Sequence, residues 1–511
     1  MGKSFNITEL FLGAAAKYPD KIALVEQGNA IRYHELALEV RHTAAYFENK
    51  GIAPGDRVLV FIPMGIQLYR VVLALFYLGA TAVFLDEWSD RRRLDNCCKI
   101  ADCKAFVGHW KAHLLRLLSS QIRRIPIKLT LKYSREDLST LAATDEQAAA
   151  LITFTTGSTG TPKAAVRTHA FLLEQFKALE DKLEARPTDV DMSVLPIVLL
   201  INLAIGSTSI IATFKPSKPI QMDPGLIVRQ LLDNRVTRIV ASPYFIKRVA
   251  RYMISNQIEA PYLSTIFTGG APVFQHEAYL FTQAFPQQRV QIVYGSTEAE
   301  PISSIDAHLL AAVEVTYHPH EGLPVGAPYH KTSVRIIQIS EKKLFDISSA
   351  YFEEIACAEG EWGEIVVAGP HVLAHYYRND EAMQANKILV NGVYWHRTGD
   401  SGYLKDGQLF LTGRCQTLIS SNEGWISPFI FENYIAALPG VELGTILQVG
   451  GQLIAFIEVT TGVVDTEALR SQVLSLPLVV ADVRFCTLPR DPRHHSKIDY
   501  HQLREVYVSQ R

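Results

Sequence analysis

The sequence predicts an α/β protein. A large multi-subdomain N-terminal domain is expected, built on parallel-rich sheets with helices plus a small β-barrel-like subdomain, followed by a small mobile α+β C-terminal domain. Three observations predict this. Short apolar runs alternate with helical-period segments over most of the chain, as in sheets covered by helices. After Gly413 the elements become shorter and more mixed. The length, 511 residues, exceeds what one hydrophobic core normally supports.

Taken in order, residues 5–50 read as a helix, a short hairpin over 22–33 and a second helix. Residues 57–62 read as a buried strand, 67–78 as a helix and 82–85 as a strand. The run Ala148-Ala149-Ala150-Leu151-Ile152 reads as a strand end, and a helical pattern runs from about His169 to Leu183. The most apolar stretch, 194–214, is broken by Pro196, Asn202 and Gly206. It reads as buried core, because a membrane span wants about twenty mostly apolar residues. Helical segments at 226–234 and 245–255 alternate with strands at 238–241 and 265–268. Strands at 361–367 and 408–411 mark the barrel-like subdomain. Beyond it, segments at 428–437, 444–448, 453–459, 466–474 and 482–488 make a compact unit of about one hundred residues, an ordinary domain size. The expected division is 1–413, a hinge at 414–416, and 417–511.

Apolar residues make up 48% and charged residues 20%, ordinary for a globular protein. The formal net charge of −2 points to neither a nucleic-acid nor an anionic-membrane surface. Arg91-Arg92-Arg93 reads as a solvated helix face. Six irregularly spaced cysteines do not form a disulfide framework. Cys97, Cys98 and Cys103 lack a histidine pair at metal-binding spacing and read as structural thiols of a reducing cytosol. The N-terminus has no long apolar region of secretory type, so a cytoplasmic location is expected.

The most informative segment is Thr155-Thr156-Gly157-Ser158-Thr159-Gly160-Thr161-Pro162-Lys163. Its glycines permit close backbone approach and positive φ. Backbone N–H groups and hydroxyls then wrap an anion, with Lys163 as a point charge. A polyphosphate-gripping loop is the reading, set against an exposed Ser/Thr/Gly linker. It is not a Walker A loop, which needs Gly before the lysine and Ser or Thr after it. Here Pro162 precedes and Ala164 follows.

Further segments join it: Tyr294-Gly295-Ser296-Thr297-Glu298, Trp395-His396-Arg397-Thr398-Gly399-Asp400, Gly413-Arg414, and the run from Pro489 to Asp499 that carries Ser496-Lys497-Ile498-Asp499. In this order the five segments resemble the motifs of the acyl-adenylate-forming superfamily of acyl-CoA synthetases, luciferases and nonribosomal adenylation domains. The resemblance spans nearly the whole chain. It implies ATP- and Mg²⁺-dependent activation of a carboxylic acid to an acyl-adenylate, with release of pyrophosphate.

That chemistry brings an anionic carboxylate to an anionic phosphate, so it calls for lysines, backbone donors and a divalent cation. On the resemblance, Ser158, Thr159 and Lys163 serve the β- and γ-phosphates, within a loop that also includes Thr155, Thr156, Gly157 and Gly160. Thr297 serves the α-phosphate and Glu298 the Mg²⁺, since a hard cation takes carboxylate oxygen. The bland alternative for Glu298 is an acid at a helix N-terminus. Asp400 is suited to the ribose diol, though Asp is also common in turns, and Arg414 to a second ribose or phosphate contact. Gly269, Gly270 and Ala271 allow approach of a flat ring, and Tyr294, beside Gly295 and Ser296, stacks on adenine. Lys497 reaches the cleft from the small domain and bridges carboxylate and α-phosphate. The catalytic set is thus Lys497, Thr297 and Glu298.

The chain departs from the family where the second half-reaction is served. Gln416 stands where the hinge usually has Asp; Ser420 and Glu423 replace a lysine and a glycine; Val198-Leu199 replaces an aromatic–His pair. The olefin-pathway β-lactone synthetases show similar departures. They also resemble this chain over Asp86 to Leu94, Met222-Asp223-Pro224, Ala241-Ser242-Pro243 and Pro301 to Ile305. The acceptor is therefore open: the thiol of CoA or of a carrier protein, a free amine, or the acid's own hydroxyl. The acyl pocket is expected near 200–203, 242–244 and 269–271, with Leu199, Leu200 and Ile201 favouring an apolar acid. The rival class is a nucleotide-binding regulator that has lost catalysis.

Overall fold

The computed structural model describes residues 4–85, 91–132, 134–156, 162–215, 218–422, 424–460, 462, 464–490 and 498–507. Two mixed sheets form the large part of the chain. The first has six strands in the order Ile127–Leu129, Ala105–Gly108, Arg57–Phe61, Thr81–Phe84, Ala149–Thr156, Pro162–Thr168. Its pairings are parallel except the last, an antiparallel hairpin. The second has eight strands. From one edge they run Ala299–Asp306, Arg289–Ser296, Thr265–Gly269, Arg238–Ala241, Val190–Ser193, Thr208–Ile211, Ile22–Glu26, Asn29–Arg32. Its interior is parallel, and both edges are antiparallel hairpins.

Between the Ala149–Thr156 strand and the expected helix His169–Leu183 the structure adds an element the sequence reading did not name, the strand Pro162–Thr168. The two strands that flank residues 157–161 pair with each other at the edge of the first sheet. Seven residues headed by a proline carry a weak strand signal, because Pro is confined to strand starts and edges. Both conditions hold here, since Pro162 is the first residue of an edge strand.

The apolar stretch 194–214 forms the helix Pro196–Ile205 and the strand Thr208–Ile211, with Leu199 and Leu203 fully buried. Asn202, which interrupts it, is fully buried as well. Its amide donates to Asp191 at 2.9 Å and accepts from Arg238 at 2.8 Å, while Arg238 Nε donates to Asp191 at 2.6 Å. A buried charge needs such a closed set of partners, and this one locks the helix to the sheet. Cys97, Cys98 and Cys103 pack with Leu59, Phe106 and Ile152, and burial pushes the Cys98 thiol up to about 12. Arg92 is exposed. Among the described residues no helix is long and apolar enough to cross a membrane.

Where the barrel-like subdomain is expected, Leu323–Gly326, Gln408–Arg414, Val393–Lys405, Gly363–Ala368 and Ser333–Ile337 form an antiparallel sheet, with Lys387–Val390 added beside Val393–Lys405. The C-terminal region has a three-stranded sheet, Val441–Val449, Gln452–Val459 and Val480–Phe485, with the helices Pro428–Ile435, Thr466–Leu474 and Tyr500–Tyr507. It has its own buried cluster, including Phe431, Ile446, Ala455 and Val473. The helix starts follow local chemistry. Ser427, Asp465 and Ser348 each accept a backbone N–H of the first turn, the usual role of an N-cap oxygen.

Candidate active site

The two hairpins at the sheet edges meet. Arg167, on the strand Pro162–Thr168, is 5% exposed. It donates from Nη2 to the carbonyl of Thr297 at 3.0 Å and from Nη1 to Thr153 Oγ1 at 2.6 Å. The turn Thr297–Glu298 is thereby tied to the strand that carries Lys163. Glu298 joins two antiparallel strands rather than opening a helix, so the helix-dipole alternative does not apply.

Around Glu298 gathers a dense set of charges. Tyr376 donates to Glu298 Oε1 at 3.3 Å. Lys163 and Lys387 place their ammonium groups 5.9 Å and 5.4 Å from the Tyr376 ring centre, within cation–π range. Lys163 also donates to Asn386 Oδ1 at 2.6 Å. Lys387 is fully buried and donates to the carbonyl of Leu373. Burial pushes its ammonium down to about 7, with Glu298 opposing and Lys163 adding to the shift. Burial also lowers Lys163, against the pull of Glu298. The imidazole of His396, cross-strand partner of Lys387, is held well below its usual value by burial first and Lys387 second. Asn386, Lys387 and Tyr376 carried no motif in the sequence reading. A lysine between Asn386 and Ile388 looks like a surface residue until the strand pairing buries it.

The corner around Asp400 is equally defined. Asp400 and Arg414 are cross-strand partners, with Arg414 Nε 3.1 Å from Asp400 Oδ1. Tyr294 donates its hydroxyl to Asp400 Oδ2 at 2.7 Å, and Arg414 Nη1 donates to the Thr398 carbonyl at 3.1 Å. Each carboxylate oxygen keeps a further lone pair, so a diol still finds acceptors on a side chain held from both sides. Glycines shape the approach. A Cβ on Gly269 would lie 2.5 Å from the Val293 carbonyl, whereas Gly270, at φ +84°, faces open space.

Lys163, Arg167, Glu298, Asn386, His396, Tyr294, Asp400 and Arg414 line one cleft of about 2010 Å³, which Tyr376 and Lys387 do not reach; it is larger than a usual ligand pocket of roughly 300–1,000 Å³. Lys163, Gly269, Gly270, Ala271, Tyr294, Gly295, Ser296, Thr297, Glu298, Asp400 and Arg414 all belong to it, as do Ile498 and Tyr500 of the C-terminal region. Gly157, Ser158, Thr159, Gly160 and Lys497, with Glu423 and the stretch 86–90, lie outside the described residues. Thr155 and Thr156 close the strand before the loop. The fit to a nucleotide shows in unmatched polar atoms: the buried Ser296 Oγ and Thr268 Oγ1, both in the cleft wall, have no hydrogen-bond partner among the described residues. Buried polar atoms normally do have partners.

The acyl-pocket expectation is corrected in part. Leu200, Tyr244 and 269–271 line the cleft, but Leu199 and Leu203 belong to the interior core and Ile201 and Asn202 do not reach it. The apolar wall comes instead from Leu179, Leu183, Val198, Val240 and Phe267. Polar groups also enter: Gln175, Lys182 and Glu300. Burial raises the Glu300 carboxyl, and the Arg167 charge opposes that rise.

Comparison with known proteins agrees with this geometry. A family model described as "AMP-binding enzyme" matches residues 11–377. An olefin beta-lactone synthetase of Stenotrophomonas maltophilia (strain K279a) is 28% identical, with 98% of each chain covered. Among solved structures, an amide bond synthetase from Marinactinospora thermotolerans superposes with a TM-score of 0.81 at 20% identity, covering 98% of this chain and 100% of that one. An O-succinylbenzoate coenzyme A synthetase from Bacillus subtilis, solved with AMP, gives 0.80 at 19% identity and covers 98% of each chain.

Proposed function

Since this chain belongs to the AMP-binding enzyme family, we propose that it uses ATP to convert a carboxylic acid to an acyl-adenylate, releases pyrophosphate, and passes the acyl group to an acceptor. The observation that carries this reading is the meeting of Lys163, Glu298, Asp400 and Arg414 in one cleft, from separate segments of the chain.

The division of labour follows from charge. Lys163, held toward the cleft by Asn386, offsets phosphate charge together with the loop 157–161. Arg167 fixes the Thr297 carbonyl and so the turn that carries Glu298. Glu298 would hold Mg²⁺, which when bound supplies a further positive charge to the phosphates. Asp400, oriented by Tyr294 and Arg414, accepts the ribose hydroxyls. Gly269 to Ala271 and Tyr294 flank the adenine. Lys497 bridges the acid carboxylate and the α-phosphate. The unit after the 414–416 hinge acts as a lid, so closure couples catalysis to exclusion of water. A cytoplasmic location suits an ATP-consuming enzyme with six free thiols.

A second reading concerns the acceptor. CoA, a carrier-protein thiol and an amine all remain outcomes of the test. The acid's own hydroxyl, giving a β-lactone, is favoured because the similarity to an olefin beta-lactone synthetase covers 98% of each chain. Gln416 and Ser420, both exposed, also stand where the family's thiol-transferring pattern is absent.

Carboxylate-dependent exchange of labelled pyrophosphate into ATP tests the first step. Exchange with at least one acid, lost in Lys497→Ala, is expected. ATP binding with no exchange for any acid would leave the non-catalytic regulator standing. Mass analysis with CoA, with amines and with no added acceptor then identifies the second step.

A further inference from the structure

The formal net charge of −2 conceals an uneven distribution. From Cys103 to Arg135 the chain carries 8 Lys and Arg residues and no Asp or Glu. Within this stretch a short helical segment, Ala112–Leu114 continued by Leu115–Leu118, is apolar on two sides. Ala112 is buried, and Leu115 packs half-buried against the cluster of Leu59, Phe106 and Ile152. The other side holds Trp110, Leu114, Leu117 and Leu118, at the spacing of one helix face. They are 61%, 53%, 75% and 59% exposed. A helix that is apolar all round is normally buried. Single exposed apolar residues are ordinary, whereas this close grouping makes a patch.

Cations accompany the patch. Lys111, Arg123 and Arg124 are exposed, and Arg116 is half-buried. Lys111 holds its ammonium 5.5 Å from the Trp110 ring centre. Arg123 donates to the carbonyls of Arg116 at 3.1 Å and Leu117 at 3.4 Å, which brings its charge beside the leucines. Neighbouring acids are engaged elsewhere: Asp95 accepts from the buried Ser119 hydroxyl, and Asp102 pairs with Arg57 and Arg378. The patch also adjoins the cleft. Gly108 is the register partner of Phe61, and Phe61 lines the cleft wall. Trp110 follows Gly108 by two residues, at most about 7 Å of chain.

We propose that the apolar face of residues 110–118, with the cations around it, docks the protein on an anionic lipid surface. The leucines enter the boundary of the acyl chains. The Trp110 indole, apolar with a single N–H donor, suits the headgroup level. Lys and Arg heads meet the anionic headgroups while their stems follow the apolar side chains. A second copy of this chain fits poorly, because pairing face to face would bring the same cations together. The adjoining apolar cleft wall favours a bilayer over an acidic protein as the occupant. Docked this way, the cleft would receive an acid with an apolar chain directly from the membrane. That consequence rests on the acid-activating reading; the docking itself does not.

Sedimentation of the full-length protein with vesicles tests this, using phosphatidylcholine alone and phosphatidylcholine with about one-third phosphatidylglycerol. Binding to the anionic vesicles is expected, weakened by added salt. Binding to the neutral vesicles is expected to be roughly tenfold or more weaker. The double variant Leu117→Glu, Leu118→Glu is expected to lose binding. Lys111→Gln with Arg124→Gln is expected to weaken it roughly fivefold per charge removed. All four side chains are exposed, so melting curves and pyrophosphate exchange in solution are expected to match the parent in both variants. No binding of the parent to anionic vesicles, equal binding to neutral ones, or unchanged binding in the folded leucine variant would overturn the docking face. Capture of an acidic carrier protein in place of vesicles, or a dimer that the leucine variant dissolves, would overturn it by giving the face another occupant. Vesicle binding without exchange for any acid would remove the acid-activating reading alone.

Discussion

Lys163 and Lys387 bring their ammonium groups to within 5.9 Å and 5.4 Å of the centre of the same ring, that of Tyr376. Tyr376 in turn donates to Glu298. Two like charges share this space because the aromatic face, Asn386, the Leu373 carbonyl and the nearby carboxylate together compensate them. Lys163 is the cation of the loop motif; Lys387 lies beneath it, closed off from solvent.

Lys387→Met tests whether the deeper cation serves the reaction or the fold. The apolar side chain fills similar volume and removes a buried charge, so thermal stability is expected to hold or rise. The pyrophosphate-exchange rate is expected to fall by roughly tenfold or more, because Glu298 loses a fixed neighbour. A variant that melts earlier yet exchanges at the parental rate would assign Lys387 to the fold alone.

At the proposed ribose corner, Tyr294→Phe removes one hydrogen bond to Asp400, worth about 1.5 kcal/mol for a charged acceptor. A rise of roughly tenfold in KM for ATP is expected, with KM for the acid unchanged. Asp400→Ala is expected to have the larger effect on the same constant. Equal changes in both Michaelis constants would argue against a nucleotide-specific role.

Glu432 predicts a pH signature. Burial raises its carboxyl to about 7, although hydrogen bonds from Tyr500 and Thr445 oppose the shift. The unfolded value is near 4.5. The folded protein therefore holds this proton more tightly than the unfolded chain. Its stabilising contribution is full below pH 4.5 and is lost as pH rises toward 7. Glu432→Gln keeps acceptors for both hydroxyls and removes the charge. Melting curves across pH 4.5–7 are expected to decline less in the variant than in the parent; identical slopes would contradict the assignment.

Gly413, at φ +113°, precedes the proposed hinge, and a Cβ there would lie 2.7 Å from Phe429 Cβ. Gly413→Ala is expected to cost about 1–3 kcal/mol through backbone strain and the clash, read as a lower urea midpoint. Parental stability would mean that the small domain shifts freely at this point.

Much of the architecture was legible along the chain because it rests on local chemistry. The alternation of short apolar runs with helical-period segments, and the clustered glycines, hydroxyls and charged residues, all act within a few positions. They located the helix His169–Leu183, the strand Arg238–Ala241 and the motif residues Lys163, Glu298 and Asp400. Tertiary structure alone decided what depends on contacts between distant segments. The hairpin return through Pro162–Thr168, the burial of Lys387, the hold of Asn386 on Lys163 over 223 positions, and the unmatched polar atoms of Arg167 and Gln175 are of this kind. No periodicity encodes them, since a side chain's desolvation and its partners are set by whichever strand or helix packs against it.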